Sequence, residues 1–214
     1  MTTVKPFTQP SNNLKVSKID LAKGTKLFRV HSKKYKADQY NPSAVGNARF
    51  SPIKDSGGAV IPTIYAAETL SAALMETAFH EVPSSPGLKS VDESVKIDPN
   101  AHCELLTTQD MKLAVLYGAP MRALGIAEGE LIHSPAADYV ETRKWAMAIH
   151  AQHPDVQGLV WVSKQCSPDK AYIFFGDRCP TPTFTVSVAH PDLHDAHCKS
   201  VIDQLIDDMD VELL

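Results

Sequence analysis

The sequence predicts a single α+β domain rather than a doubly wound parallel sheet. Strand-like and helix-like segments follow one another without regular alternation, and no segment repeats. The 214-residue length suits one domain with a sizeable core, and 43% hydrophobic against 21% charged residues is a globular balance.

Residues 1–25, rich in Ser, Thr, Asn, Pro and Lys, read as an arm. "KLFRVH" (26–31) is the first expected strand, and "YNPSAVGNARFSPIKDSGGAVIP" (40–62) reads as loop around a short strand at 49–53. "TIYAA" (63–67) is a strand running into a helix. That helix has apolar residues Leu70, Leu74, Ala78 and Val82 at helical spacing and is ended by Pro83 and "SSPG". "SVKID" (94–98) and "CELLT" (103–107) are strand candidates, and "QDMKLAVLYG" (109–118) is a helix candidate. The best-marked helix is "SPAADYVETRKWAMAIHAQHP" (134–154), with Ser134 as N-cap, Pro135 at the first helical position, acids early and histidines late. Strands are expected at "QGLVWVS" (157–163), "AYIFFGD" (171–177) and "TFTVSVAH" (183–190), and a last helix from about Asp192. The expected layout is an arm (1–25), a domain (26–190) and a C-terminal helical segment (191–214) packed on it.

Several function classes are disfavoured. No apolar stretch approaches the roughly 20 residues that span a bilayer, and "MTTVKPFTQPSNN" lacks the apolar region of a secretory signal, so a cytoplasmic location without membrane association is expected. Cys103, Cys166, Cys179 and Cys198 form no C-x-x-C pair. The net charge of −4 is uneven: Lys5 to Lys36 holds nine basic residues and one acid, whereas "DQLIDDMDVELL" has no base. The basic residues are not interleaved with stacking aromatics, so no direct nucleic-acid binding is expected. G-x-G-x-x-G, P-loop, H-E-x-x-H and G-x-S-x-G motifs are absent. His190, His194, His197 and Cys198 lie close in sequence but match no common zinc spacing. Capping and surface roles are expected for them, and no metal.

Five polar residues stand out. Glu76 lies off the apolar face of its helix, one turn after Ala72 and Ala73, small residues that would leave room beside it. Arg29 sits inside a strand between Phe28 and Val30, a costly place for a guanidinium unless it is paired or binds something. Arg49 follows the Gly/Asn loop, Tyr65 lies near the end of its strand, and Ser163 ends "QGLVWVS" on the same strand face as Leu159 and Trp161.

The order Arg–Arg–Tyr–Glu–Ser, carried by "LFRVH", "ARFSPI", "VIPTIYAAETLSAALMETAFHEVP" and "GLVWVSKQ…YIFFGDR", resembles the RES-domain family, the toxin half of many bacterial Xre–RES toxin–antitoxin pairs. The resemblance covers about Leu27 to Arg178, and "SPIKDSGGAVIP" is long for the family. It implies a fold similar to ADP-ribosyltransferase toxins, a mixed sheet core flanked by helices. It implies NAD as a substrate rather than a cofactor, with Arg29, Arg49, Tyr65 and Ser163 binding it and Glu76, Arg29 and Ser163 in catalysis. It further implies degradation of NAD, or transfer of its ADP-ribose, and an Xre-type antitoxin as partner. A catalytically silent binding module, with Arg29 and Glu76 as a structural pair, is the alternative of another class.

The chemistry accounts for a single carboxylate. Ordinary glycoside hydrolysis needs a second one to protonate the leaving alkoxide. In NAD the leaving group is a pyridinium that departs as neutral nicotinamide, so what remains is to stabilise positive charge developing on the ribose. Arginine forks suit the pyrophosphate.

Overall fold

The computed structural model describes residues 6–83, 85 and 87–214. The chain begins its regular structure with β1 (Lys18–Leu21) and β2 (Lys26–Ser32), followed by a small hairpin of β3 (Ile53–Lys54) and β4 (Val60–Ile61). β5 (Thr63–Ala67) leads into α1 (Leu70–Thr77), then β6 (Ser90–Val91), the single turn α2 (Glu93–Lys96), β7 (Asn100–Thr107) and β8 (Met111–Val115). Short helices α3 (Pro120–Leu124) and α4 (Glu128–Leu131) precede the long α5 (Tyr139–Gln152). β9 (Gly158–Val162), β10 (Lys170–Phe175), β11 (Phe184–His190), α6 (Ala196–Met209) and β12 (Glu212–Leu213) complete the chain.

One eight-stranded sheet, in the order β1-β8-β9-β10-β5-β2-β7-β11, organises the molecule. Its pairs are antiparallel except β8 with β9, so the sheet is mixed and the fold is α+β, a single domain flanked by helices. Both faces are covered. On one, Leu27, Ile64, Ala66, Cys103, Leu105, Leu113, Val160 and Phe174 form a core. On the other, strand alternation turns Tyr65, Leu159, Trp161, Ala171 and Ile173 towards α5, and Val30 and Ala67 towards α1 and α6. Among the described residues no helix is long and apolar enough to cross a membrane.

Five expectations differ from the structure. "QDMKLAVLYG" is strand β8, not helix: Leu113 to Leu116 are buried on both sides between β1 and β9, and a short run buried all round carries no period that separates helix from strand. "SVKID" is mostly the helical turn α2, whose Ser94 N–H is met by the Asp92 side chain. The helix expected from Ser134 begins at Tyr139, after a 3-10 turn at Ala136–Asp138. α1 ends at Thr77 with Ala78 as C-cap, one turn before Val82; Ser84 and Pro86 of its expected stop signal lie outside the described residues. The last helix starts at Ala196, where Asp195 accepts from the His197 and Cys198 N–H groups.

Part of the segment expected as an arm enters the fold. Residues 18–21 pair with β8 as a sheet edge, and 7–14 lie along α5. There the Trp145 indole N–H donates to the Thr8 carbonyl at 2.9 Å, and Gln152 bonds Leu14 N–H and Ser11 O at 2.8 Å each. Residues 1–5 lie outside the described residues.

Gly158 is dictated by a close approach of strands, since a Cβ there would sit 2.2 Å from the Ile173 carbonyl oxygen. Gly158→Ala is therefore expected to destabilise the fold by about 3 kcal/mol or more, the upper range for overpacking. An unchanged denaturant midpoint would contradict the strand packing described here.

Candidate active site

The turn after Asn47 places Arg49 half-buried beside the α4–α5 connection. Arg49 Nη1 donates to Ser134 Oγ at 2.8 Å and to the Leu131 and Ser134 carbonyls at 3.3 Å each. Its Nη2 donates to the Tyr139 hydroxyl at 3.3 Å, and the guanidinium carbon lies 4.8 Å from the centre of the Tyr139 ring. None of these partners is a carboxylate, so the positive charge is oriented without being neutralised. Thr142 donates its hydroxyl to the Arg49 carbonyl and fixes the backbone behind the side chain.

Tyr65, half-buried on β5, ties that turn to the sheet. Its hydroxyl accepts the Phe50 N–H at 3.2 Å, and its ring meets Trp161 edge-on at 6.2 Å. Burial pushes the phenol up to about 12, against hydrogen bonds from Ser51 and Phe50, so it stays neutral and can donate. Trp161 also meets Phe50 edge-on at 5.2 Å, so one indole spaces the Arg49 turn from β9.

Ser163, the residue after β9, is 1% exposed, and its hydroxyl has no hydrogen-bond partner among the described residues. A buried hydroxyl with no partner costs on the order of 1–3 kcal/mol, which a native fold rarely tolerates without a use. From the same strand end Lys164 reaches the His133 carbonyl at 3.4 Å, and Gln165 Nε2 reaches the His80 and Val82 carbonyls at 3.3 and 3.5 Å. The strand end thus bridges the connection that holds Arg49 and the segment that follows α1.

Glu76 is half-buried near the C-terminal end of α1, whose other side packs Leu70, Leu74 and Met75 into the core. It makes no hydrogen bond or ion pair among the described residues. Its carboxylate acts on the Tyr65 phenol, and on the Cys166 thiol, which is pushed up to about 11 by burial and by Asp169 as well as Glu76. Arg49 and Glu76 both act on the Tyr65 phenol, and Ser163 follows the strand whose Trp161 meets the Tyr65 ring, so a guanidinium, a phenol, a carboxylate and a buried hydroxyl come from four neighbouring elements.

A family model for the RES domain matches residues 26–195. The chain belongs to the RES domain family. No curated protein matches it significantly.

Arg29 is the RES-domain residue that the structure does not bring to the others. It alternates with Phe28 and Val30, which face α1, and it pairs in register with Cys103, so its side chain emerges on the opposite face of the sheet from Tyr65. There Nη1 donates to the Ala37 carbonyl at 2.8 Å and to the Gln39 carbonyl at 3.0 Å. Burial lowers its pKa to about 10, partly offset by Cys103, Asp38 and Tyr40, so it remains charged at neutral pH. It forms no pair with Glu76, and the loop after β2 is built on it.

The histidines near α6 do not converge as a trio. His194 pairs with Asp98 at 2.8 Å, and His190 stacks on the buried His102 at 4.2 Å. Among the described residues the groups with metal-ligand geometry are His102, Asp195 and Cys198, and Glu93, Asp98 and His194, both near the start of α6. Their carboxylates are occupied in capping α6 and binding histidines.

Sequence reasoning missed Ser134 and Tyr139 as partners of Arg49. Ser134 followed by Pro135 is also an ordinary helix-start signal, and nothing in the local pattern distinguishes the two uses.

Two outcomes are expected. Ser163→Ala removes a hydroxyl that bonds nothing, so its melting temperature should equal or exceed that of the unmodified protein; a clear drop would mean that the hydroxyl has a structural partner. Arg29→Ala leaves the Ala37 and Gln39 carbonyls without their donor and is expected to cost about 3 kcal/mol by denaturant titration. A loss below about 0.5 kcal/mol would show that the Arg29 bonds do not hold the loop.

Proposed function

We propose that this RES domain consumes NAD by cleaving the bond between nicotinamide and ribose, with water or inorganic phosphate taking the ADP-ribosyl group. The reading rests on one observation: among the described residues Arg49 has no carboxylate partner, Glu76 has no hydrogen bond and the buried Ser163 hydroxyl has none, while Arg49 and Glu76 both act on the Tyr65 phenol. Each group lacks what a dinucleotide would supply. The Arg49 fork suits the pyrophosphate, whose charge changes little during the reaction. Glu76 faces the anomeric centre, where positive charge grows as neutral nicotinamide leaves, and no general acid is required. Ser163 offers its hydroxyl to the ribose or the carboxamide, and Tyr65 packs beside the nicotinamide ribose. Arg29 supports this site from behind the sheet and does not touch the dinucleotide.

RES domains are associated with toxin–antitoxin systems. In the same proposal the protein arrests bacterial growth by depleting NAD, and an Xre-type antitoxin silences it by covering the cleft.

Incubation with NAD tests the activity. Free nicotinamide in proportion to protein, without labelled protein, is the expected result. ADP-ribose attached to a protein would make it a transferase, and unchanged NAD with folded protein would reduce it to a binding module.

The residues divide kinetically. Glu76→Gln removes charge that matters mainly in the transition state, so kcat is expected to fall on the order of a hundredfold with KM nearly unchanged. Arg49→Ala removes binding common to ground and transition state, so KM is expected to rise more than kcat falls. Steady-state kinetics on both variants checks the assignment, and the opposite pattern would exchange the two roles.

A further inference from the structure

Residues 163–169, the turn joining β9 to β10, do more than carry Ser163. The Ser163 N–H donates to the Asp169 carbonyl at 2.9 Å, closing the turn. The Asp169 side chain faces α1: its Oδ2 accepts the Thr69 hydroxyl at 2.6 Å, and the Cys166 thiol lies 3.8 Å from the same oxygen. Thr69 is the N-cap of α1, and its Oγ1 accepts the Ala72 N–H at 3.1 Å. At the other end Gln165 holds the His80 and Val82 carbonyls. The turn therefore grips the Glu76 helix at its start and just beyond its end.

α1 needs such a grip. It is eight residues long, with no acid in its first turn and no base in its last, so neither length nor the helix dipole fixes it. A slide of α1 along its axis would move Glu76 relative to Ser163, and the bond between Thr69 and Asp169 opposes it. Misplacement of a reacting group by about 1 Å can cost on the order of a hundredfold in rate.

We propose that Asp169 is a positioning residue that couples the strand end bearing Ser163 to the helix bearing Glu76, its backbone carbonyl holding one and its carboxylate the other. The coupling matters for turnover only if the NAD-cleaving reading of the cleft is right. The carboxylate acts here as an acceptor, so Asn, which keeps an acceptor oxygen, is a conservative replacement and Ala is not.

Kinetics and amide exchange test the coupling separately. Asp169→Ala is expected to lower kcat about tenfold with KM changed less than twofold, and Asp169→Asn to restore most of it. Placed on Glu76→Gln, Asp169→Ala is expected to cost little more, because there is no carboxylate left to position. Wild-type kcat in Asp169→Ala, or an equal loss in both backgrounds, would overturn the proposal. Thr69→Val, which breaks the same link from the helix side and with it the cap on Ala72, serves in the kinetic comparison if Asp169→Ala does not fold, with the same kinetic outcomes. Hydrogen exchange needs no substrate: Asp169→Ala should quicken exchange at both the Ala72 and Ser163 amides. Faster exchange at Ala72 alone would make Asp169 a helix cap and nothing more. If the unmodified protein leaves NAD intact while both amides respond, the functional reading falls and the mechanical link stands.

Discussion

The acceptors of Arg49 are all neutral: the Leu131 and Ser134 carbonyls, the Ser134 hydroxyl and the Tyr139 phenol. Had an aspartate stood at 134 or 139, the arginine would have been an ordinary half-buried ion pair. Much of the surrounding structure serves this arrangement. The 3-10 turn before α5 brings Tyr139 under the guanidinium, Thr142 holds the backbone, and Tyr65 pins the neighbouring Phe50. Trp161 then sets the separation between the Arg49 turn and the strand that ends at Ser163.

The two arginines illustrate how one residue type does different work on the two faces of a sheet. Arg29 is 7% exposed, and the carbonyls of Ala37 and Gln39 give it a structural task on the far face. Arg49 leaves a loop instead of a strand, where the backbone can present it to an opening. Position in the fold, rather than chemical type, decides what each arginine holds.

The α+β class was legible because the order of segments, without alternation or repeats, constrains architecture even where individual elements are misread. β8 was not legible, since "LAVL" is buried from both sides and its pattern is the same for a helix. Glu76, Tyr65 and Ser163 stand at places on a wheel or strand that ordinary residues also occupy, and only the order Arg–Arg–Tyr–Glu–Ser singles them out as candidates. The acceptors of Arg49 could not, because the 82 to 90 residues of separation between donor and acceptor leave no local signature. Arg29 was placed correctly in its strand, but assigning it a face required the register with β7.

The arm and β1 precede residue 26, where the match to the family begins, yet they are woven into the fold. Thr8 satisfies the indole of Trp145, Leu14 belongs to the core around α5, and β1 shields the edge of β8. Homology and mechanical integrity therefore draw different borders in this protein. A fragment cut at the homology border would bare a sheet edge and strip α5 of its covering, leaving a surface prone to self-association. The family match spans residues 26–195, while the folded body also draws on residues 7–21.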